Sequence, residues 1–353
     1  MLESSASSRR LLLMYAGATC MVGAVVLRRM LALRRKLREV EERRSALALE
    51  LMATRNRLMH SPESVAKGRA FAPRKDDIFV VTYPKCGTTW VTQICQVLRT
   101  HGRADLNAFG EITEVVPWDI LALDCGQNLD MEQISTPRIF KSHESFGNIP
   151  KGAKYIYVAR NPCDAFVSFF KFLPPYMGLK SDDIAMENFS SAIFAGVSHS
   201  GQIWHHFRDW YTGGLKDPNV LWVFYEDLIS DLAKEVRRIA AFMGIQSEEL
   251  DGKHGLLAVT LEQSSYRYMQ KHASQFDDHY VFEATKERMG RHPADKFTVG
   301  KVRKGGGKVG SRTLIPPAVR LLLDRKWNEI IFPAIGCGNY DEFCEKVRRE
   351  RAN

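Results

Sequence analysis

Residues 78–98 constrain the fold more than any other stretch of this 353-residue chain. Ile78-Phe79-Val80-Val81-Thr82 is an apolar, β-branched run with the length of a buried strand. Pro84 lacks an N–H and fixes φ, so the strand cannot continue as ladder. The chain must turn within Tyr83-Pro84-Lys85-Cys86-Gly87-Thr88-Thr89-Trp90, where Gly87 permits a tight backbone approach. From Trp90 to Leu98 apolar groups recur at helical spacing, which predicts a helix beginning near Thr88. A helix start of this kind presents unpaired N–H donors and a partial positive charge to an anionic oxygen cluster. Lys85 adds a full charge, and the hydroxyls of Thr88 and Thr89 add donors. The plain alternative is an ordinary strand-turn-helix with a solvated lysine. A nucleoside-triphosphate loop would need a Gly-rich stretch ending Gly-Lys-Ser/Thr. Here the lysine precedes a single glycine, and no magnesium-binding carboxylate set is evident, which argues against a kinase.

A second segment tests the anion reading independently. Residues 154–160, Lys-Tyr-Ile-Tyr-Val-Ala-Arg, read as a strand ending in Arg160, after which Asn161-Pro162 opens a helix carrying Ser168. An arginine at a strand end and a serine two helical turns later can converge on one phosphate, the guanidinium supplying a planar fork.

The octapeptide at 83–90 resembles the 5′-phosphosulfate loop of the sulfotransferases that use 3′-phosphoadenosine-5′-phosphosulfate (PAPS), with Cys86 in place of the usual serine. Arg160-Asn161-Pro162 followed by Ser168 resembles that family's 3′-phosphate motif, with Cys163 where lysine is common. Later, Arg303-Lys304-Gly305 resembles the loop that closes the nucleotide pocket, although its continuation, Gly306-Gly307-Lys308, departs from the family form. The resemblance runs from about Asp76 to about Phe343 and implies PAPS as co-substrate, no metal, and a small-molecule acceptor. It makes His143, in Lys141-Ser142-His143, the expected general base, with Lys141 beside it and Lys85 stabilising charge. It implies nucleotide contacts from Lys85, Cys86, Gly87, Thr88, Thr89, Trp90, Arg160, Ser168, Tyr225, Ser264, Ser265, Tyr266, Arg303, Lys304 and Gly305. Trp118, Phe140, Phe169 and Phe172 are expected to line an apolar acceptor site. His205 and His206, on an aromatic-rich helix, read as packing residues. The alternative is a membrane-tethered scaffold or nucleotide-binding protein on the same fold that has lost catalysis. The acceptor, whether phenol, alcohol, amine or sugar hydroxyl, is not written in the sequence, and the family's dimerisation motif is not visible after residue 305.

The first 60 residues have a different character. Beyond an N-terminal tail at 1–10, residues 11–27 carry no charge and are bounded by Arg9-Arg10 and Arg28-Arg29, which predicts a short membrane anchor. An Arg-rich organelle-targeting peptide is the rival reading. Over residues 28–60, Leu33, Leu37, Val40, Leu47, Leu51 and Leu58 follow intervals of three and four, interrupted at Arg44 and Thr54, as in an amphipathic stalk able to self-associate as a coiled coil. Six Lys/Arg within 28–38 place the C-terminal domain in the cytosol by the positive-inside tendency, and seven cysteines without a disulfide pattern suit a reducing compartment. The lumenal alternative would expose the Asn188-Phe189-Ser190 sequon. Of the formal net charge of +9, all but about +2 falls in the first 60 residues, so the pI of about 9.2 is not a sign of nucleic-acid binding. The remainder, residues 70–353, alternates strand and helix patterns. It predicts one α/β domain with a mostly parallel central sheet flanked by helices, and the resemblance implies that this is the P-loop-like sulfotransferase fold.

Overall fold

The computed structural model describes residues 3–180, 182–196, 199–252, 255–302 and 311–352, apart from the side chains of 3–20, 22, 193–195 and 311. Contacts divide the chain into two compact units, Met1–Ala48 and Leu49–Asn353.

Helix α1 runs from Glu3 to Leu58. In the first unit its apolar side chains from Val25 to Leu47, including Leu33, Leu37 and Val40, are exposed, and Arg35 pairs with Glu39 one turn on at 3.1 Å. Among the described residues no helix is long and apolar enough to cross a membrane. The anchor expected at 11–27 therefore has no support from the structure, and most of its side chains, 11–20 and 22, lie outside the described residues.

The second unit takes in the last turns of α1. The physical reason is burial: Met52 is fully buried and Met59 and His60 nearly so. Arg288 fixes this end, donating to the carbonyls of Leu58 and Met59 and pairing with Asp124 at 2.7 Å, while the Ser61 amide donates to the same carboxylate. Helix α2, Pro62–Arg69, follows with Ser61 as its N-cap.

Four strands form the described sheet: β1 Ile78–Thr82, β2 Ile139–Ser142, β3 Lys154–Ala159 and β4 Val220–Phe224. They are all parallel, in the order β2-β1-β3-β4, with Ile78 opposite both Ile139 and Lys154. Successive side chains point to opposite faces. Ile78, Val80, Ile156 and Val158 thus pack with Val91, Ile94 and Leu98 of α3, Thr88–Arg99. On the other face Phe79 stacks with Phe140 and Tyr155, its partners across the ladder, and Tyr157 stacks on Trp210 of the helix Ile203–Gly214. Each such fully buried side chain contributes about 1.5–3 kcal/mol. Arg138, nearly fully buried, forks onto Asp77 at 2.6 and 2.8 Å and ties the amino ends of β2 and β1 together.

The topology decides where a ligand can sit. The chain leaves β1 for β2 on one side and returns to β3 on the other, so the sheet has a switch point at β1. In open parallel sheets the crevice beyond the carboxyl ends of the strands at such a point is the natural binding site.

Candidate active site

Each strand delivers a chemically useful group just past its carboxyl end. β1 runs into the loop Tyr83–Gly87 and then α3; β2 ends one residue before His143; β3 one before Arg160; β4 one before Tyr225. These groups line one cavity of about 420 Å³.

The loop after β1 turns back on itself through two left-handed residues, Lys85 at φ 70° and Gly87 at φ 109°. Gly87 is required twice over, by its φ and because a Cβ there would meet the Tyr225 ring at 2.9 Å. Gly87 is also the N-cap of α3 and supplies no side-chain cap, so the first N–H groups of the helix are left to other partners. Thr88 and Thr89 line the cavity beside them. The Lys85 ammonium lies over the Phe172 ring at 3.5 Å, and its carbonyl accepts from Arg160 at 2.9 Å. Arg160 also stacks on Tyr225, at 4.1 Å, while its Nε is buried without a partner among the described residues. With the short helix Ile112–Val115 as α4, Ser168 comes to the same cavity from α5, Pro162–Phe170, which Asn161 caps by accepting from the Cys163 amide.

His143 faces this assembly from β2. Its Nδ1 lies 2.8 Å from the Thr82 carbonyl, which can only accept, so Nδ1 carries the proton and Nε2 keeps its lone pair. The Thr82 hydroxyl touches both Nδ1, at 3.3 Å, and the Thr88 hydroxyl, at 2.6 Å, which joins the imidazole to the first turn of α3. Burial, and then the charge of Lys141, hold His143 well below the ordinary histidine range, so the ring is neutral at neutral pH. Trp118 packs edge-on against it at 5.0 Å.

Lys141 lies over the same indole at 3.9 Å and 3.5 Å from Asp278. Burial lowers its pKa to about 8, although Asp278 acts the other way. Burial alone would raise the Asp278 carboxyl, but Lys141 and Lys301 outweigh it and keep Asp278 ionised far below its usual range. Burial, reinforced by Asp278, pushes neighbouring Glu111 upward.

The structure brings together Lys85, Gly87, Thr88, Thr89, Trp90, Trp118, Lys141, His143, Arg160, Ser168, Phe169, Phe172, Tyr225, Ser264 and Tyr266 at the cavity. It does not bring Phe140, Cys86 or Ser265 to the cavity wall. Phe140 alternates with Lys141 along β2, so the register that presents the lysine sends the phenyl ring to the opposite face, against Phe79. The Cys86 side chain is fully buried, its thiol pushed up to about 12 by burial. Ser265 caps the helix Tyr266–Lys271, accepting from the Tyr268 amide. Ser264 gives its carbonyl to the Trp90 indole at 2.8 Å while its hydroxyl bonds back to Thr260. Tyr225 opens a helix, Tyr225–Ser230, directly after β4. Arg303, Lys304 and Gly305 lie outside the described residues. His206 is fully buried against the Tyr157 hydroxyl at 3.0 Å, whereas His205 is only partly buried. Among the described residues no group of His, Cys, Asp and Glu side chains could hold a metal ion.

Several contributors were not legible as site residues. Asp278 meets Lys141, and Lys301 meets Asp278, only through tertiary packing, and Met59 and His60 sit at the end of a charge-rich helix with no local pattern pointing to a cavity.

Residues 75–304, well over half of the chain, match the sulfotransferase domain family. Among curated relatives, the amine sulfotransferase of Oryctolagus cuniculus is 34% identical over 189 residues, covering 51% of this chain and 61% of the relative. Human sulfotransferase 1E1 is 33% identical over 193 residues, covering 51% and 64%. The chain thus spans less than two thirds of the length of these relatives in the matched region. Among solved structures, mouse sulfotransferase SULT7A1 complexed with PAP aligns with a TM-score of 0.53 at 22% identity, covering 77% of this chain and 90% of the other. A retinol dehydratase in complex with retinol and PAP aligns at 0.57 and 19%, covering 77% and 86%. These distant likenesses establish a shared α/β fold, and the family match over most of the second unit establishes that this chain belongs to the sulfotransferase family.

Proposed function

We propose that the protein transfers a sulfuryl group from PAPS to a hydroxyl, or an amine, of a small-molecule acceptor, with His143 as general base. One observation carries the reading. A neutral imidazole with its Nδ1 proton committed to the Thr82 carbonyl lines the same cavity as the uncapped start of α3, Lys85, Arg160 and Ser168. The names of two structural neighbours record PAP as their bound nucleotide, which supports a nucleotide of that class here. The residues present fit it. The orphaned Arg160 Nε and the uncapped α3 amides are donors in need of an anion, and they arise from two separate strand ends, as two phosphate-like groups on one nucleotide require.

Bound there, PAPS supplies an activated sulfuryl group whose leaving partner is a phosphate. The α3 amides and Lys85 hold the oxyanions at that end, and Arg160 with Ser168 holds the second phosphate. His143 Nε2 accepts the proton of the acceptor hydroxyl, a contribution of roughly 10² to 10⁴ in rate. Lys141, kept beside the ring by Asp278, adds positive charge where negative charge develops. No observation favours a fold that has lost catalysis.

The pH dependence tests this assignment. His143 is already neutral near pH 6.5, so the turnover of an aliphatic alcohol is expected to show no acidic limb there. It should fall above about pH 8, where Lys141 loses its proton. Turnover that instead rises through pH 6.5 would mean a solvated histidine serves as base, and His143 would lose the role.

A further inference from the structure

The segment just past the end of α1 brings a second imidazole to the cavity. His60 is only 7% exposed, and it packs edge-on against Trp118 at 5.5 Å, the same indole that holds His143 at 5.0 Å. Neither His60 nitrogen has a hydrogen-bond partner among the described residues. The Asn56 carbonyl, one turn back, is near enough to act on the ring but does not reach hydrogen-bonding geometry. The His199 ring also packs against it at 4.6 Å. Two more buried groups on this cavity share the condition: Trp118 Nε1, a donor, and the Tyr176 hydroxyl, a donor and acceptor, have no partner among the described residues. Leaving a buried polar group unpaired is costly, so three such groups on one stretch of cavity mark a wall arranged to meet polar atoms of a ligand.

The groups around His60 set the kind of polar atom. Burial, and then His199, Arg288 and Lys141, push its pKa down to about 3, so the ring is neutral, with one nitrogen that donates and one that accepts. A neutral ring among cations does not select an anion by charge, nor does it attract a second ammonium. It matches a hydroxyl, which also donates and accepts.

We propose that His60 recognises the acceptor, hydrogen-bonding a second hydroxyl on an otherwise apolar compound whose first hydroxyl reaches His143; this rests on the sulfotransferase reading above. Both imidazoles lie against one indole, so the two hydroxyls belong to the same compact molecule. Met59, Phe169, Phe172, Leu173 and Met177 supply apolar surface around it. The favoured acceptor class is therefore a compact, largely apolar diol, preferred over the matching mono-alcohol or monophenol.

The test is equilibrium binding to the full-length chain saturated with PAP, which needs no turnover. Calorimetric titration would compare 2-naphthol with a series of dihydroxynaphthalenes. At least one diol is expected to bind tenfold or more tightly than 2-naphthol. His60→Phe, which keeps a ring and removes both nitrogens, should erase that margin while leaving 2-naphthol within about twofold; His60→Gln should restore part of it. Unchanged PAP affinity in each variant shows that the fold is intact. A margin that survives His60→Phe, or no diol margin in the natural protein, overturns the proposal. Sulfate transfer measured in parallel separates the two readings: a His60-dependent margin without transfer removes the catalytic proposal and leaves the recognition site standing.

Discussion

Replacing His143 by alanine is expected to lower turnover by roughly 10² to 10⁴ while leaving PAPS affinity within a few-fold of the natural protein. The separation follows from the site's construction. The proposed nucleotide ligands come from the β1–α3 loop, the β3 end and α5, whereas the imidazole comes from the end of β2, with its Nδ1 committed to the Thr82 carbonyl. Removing the ring takes away the Nε2 lone pair and a packing contact with Trp118, but no residue assigned to the anion sites. Steady-state kinetics on one acceptor, with PAP binding measured beside it, checks both halves. Near-normal turnover in His143→Ala would assign the base elsewhere.

Lys85→Ala is expected to fail differently, losing roughly 10² to 10³ in turnover and binding the nucleotide more weakly as well. This lysine occupies a left-handed position in the loop between β1 and α3, and its ammonium lies over Phe172 at the cavity. A cation there interacts with a bound anion and, more strongly, with charge that grows during transfer. Lys85→Arg, which retains the charge with a different shape, should recover nucleotide affinity before it recovers rate. If Lys85→Ala changes turnover alone and PAP affinity stays unaltered, the loop does not hold the anion in the way described.

How much of this was legible in the sequence depended on how local each feature is. The β1–loop–α3 unit could be read because one short stretch holds the strand, the turn chemistry and the helix start, and Arg160 with Ser168 because a strand end and the next helix fix their spacing. Phe140 shows the limit of composition: an aromatic residue beside a site lysine reads as pocket lining, yet strand alternation places it on the other face. Tyr225 shows a boundary limit, since the strand pattern continues into residues that begin a helix. His60 shows a topological one. Nothing in the pattern of α1 separates its last turns from the exposed part; contacts with residues far along the chain, among them Arg288, Asp124 and Met177, hold this end at the cavity. A protein trimmed at about residue 65 would lack this wall, so functional measurements belong on the full chain.

The central claim is sulfuryl transfer from PAPS. It is tested most directly by incubating the full-length protein with PAPS carrying radiolabelled sulfate and a panel of apolar mono- and dihydroxy compounds, following the label and the nucleotide together. The account predicts that label moves to an acceptor as PAP accumulates in equal amount, and that His143→Ala removes this transfer. PAP binding without label reaching any acceptor, or transfer that is indifferent to His143, would contradict it.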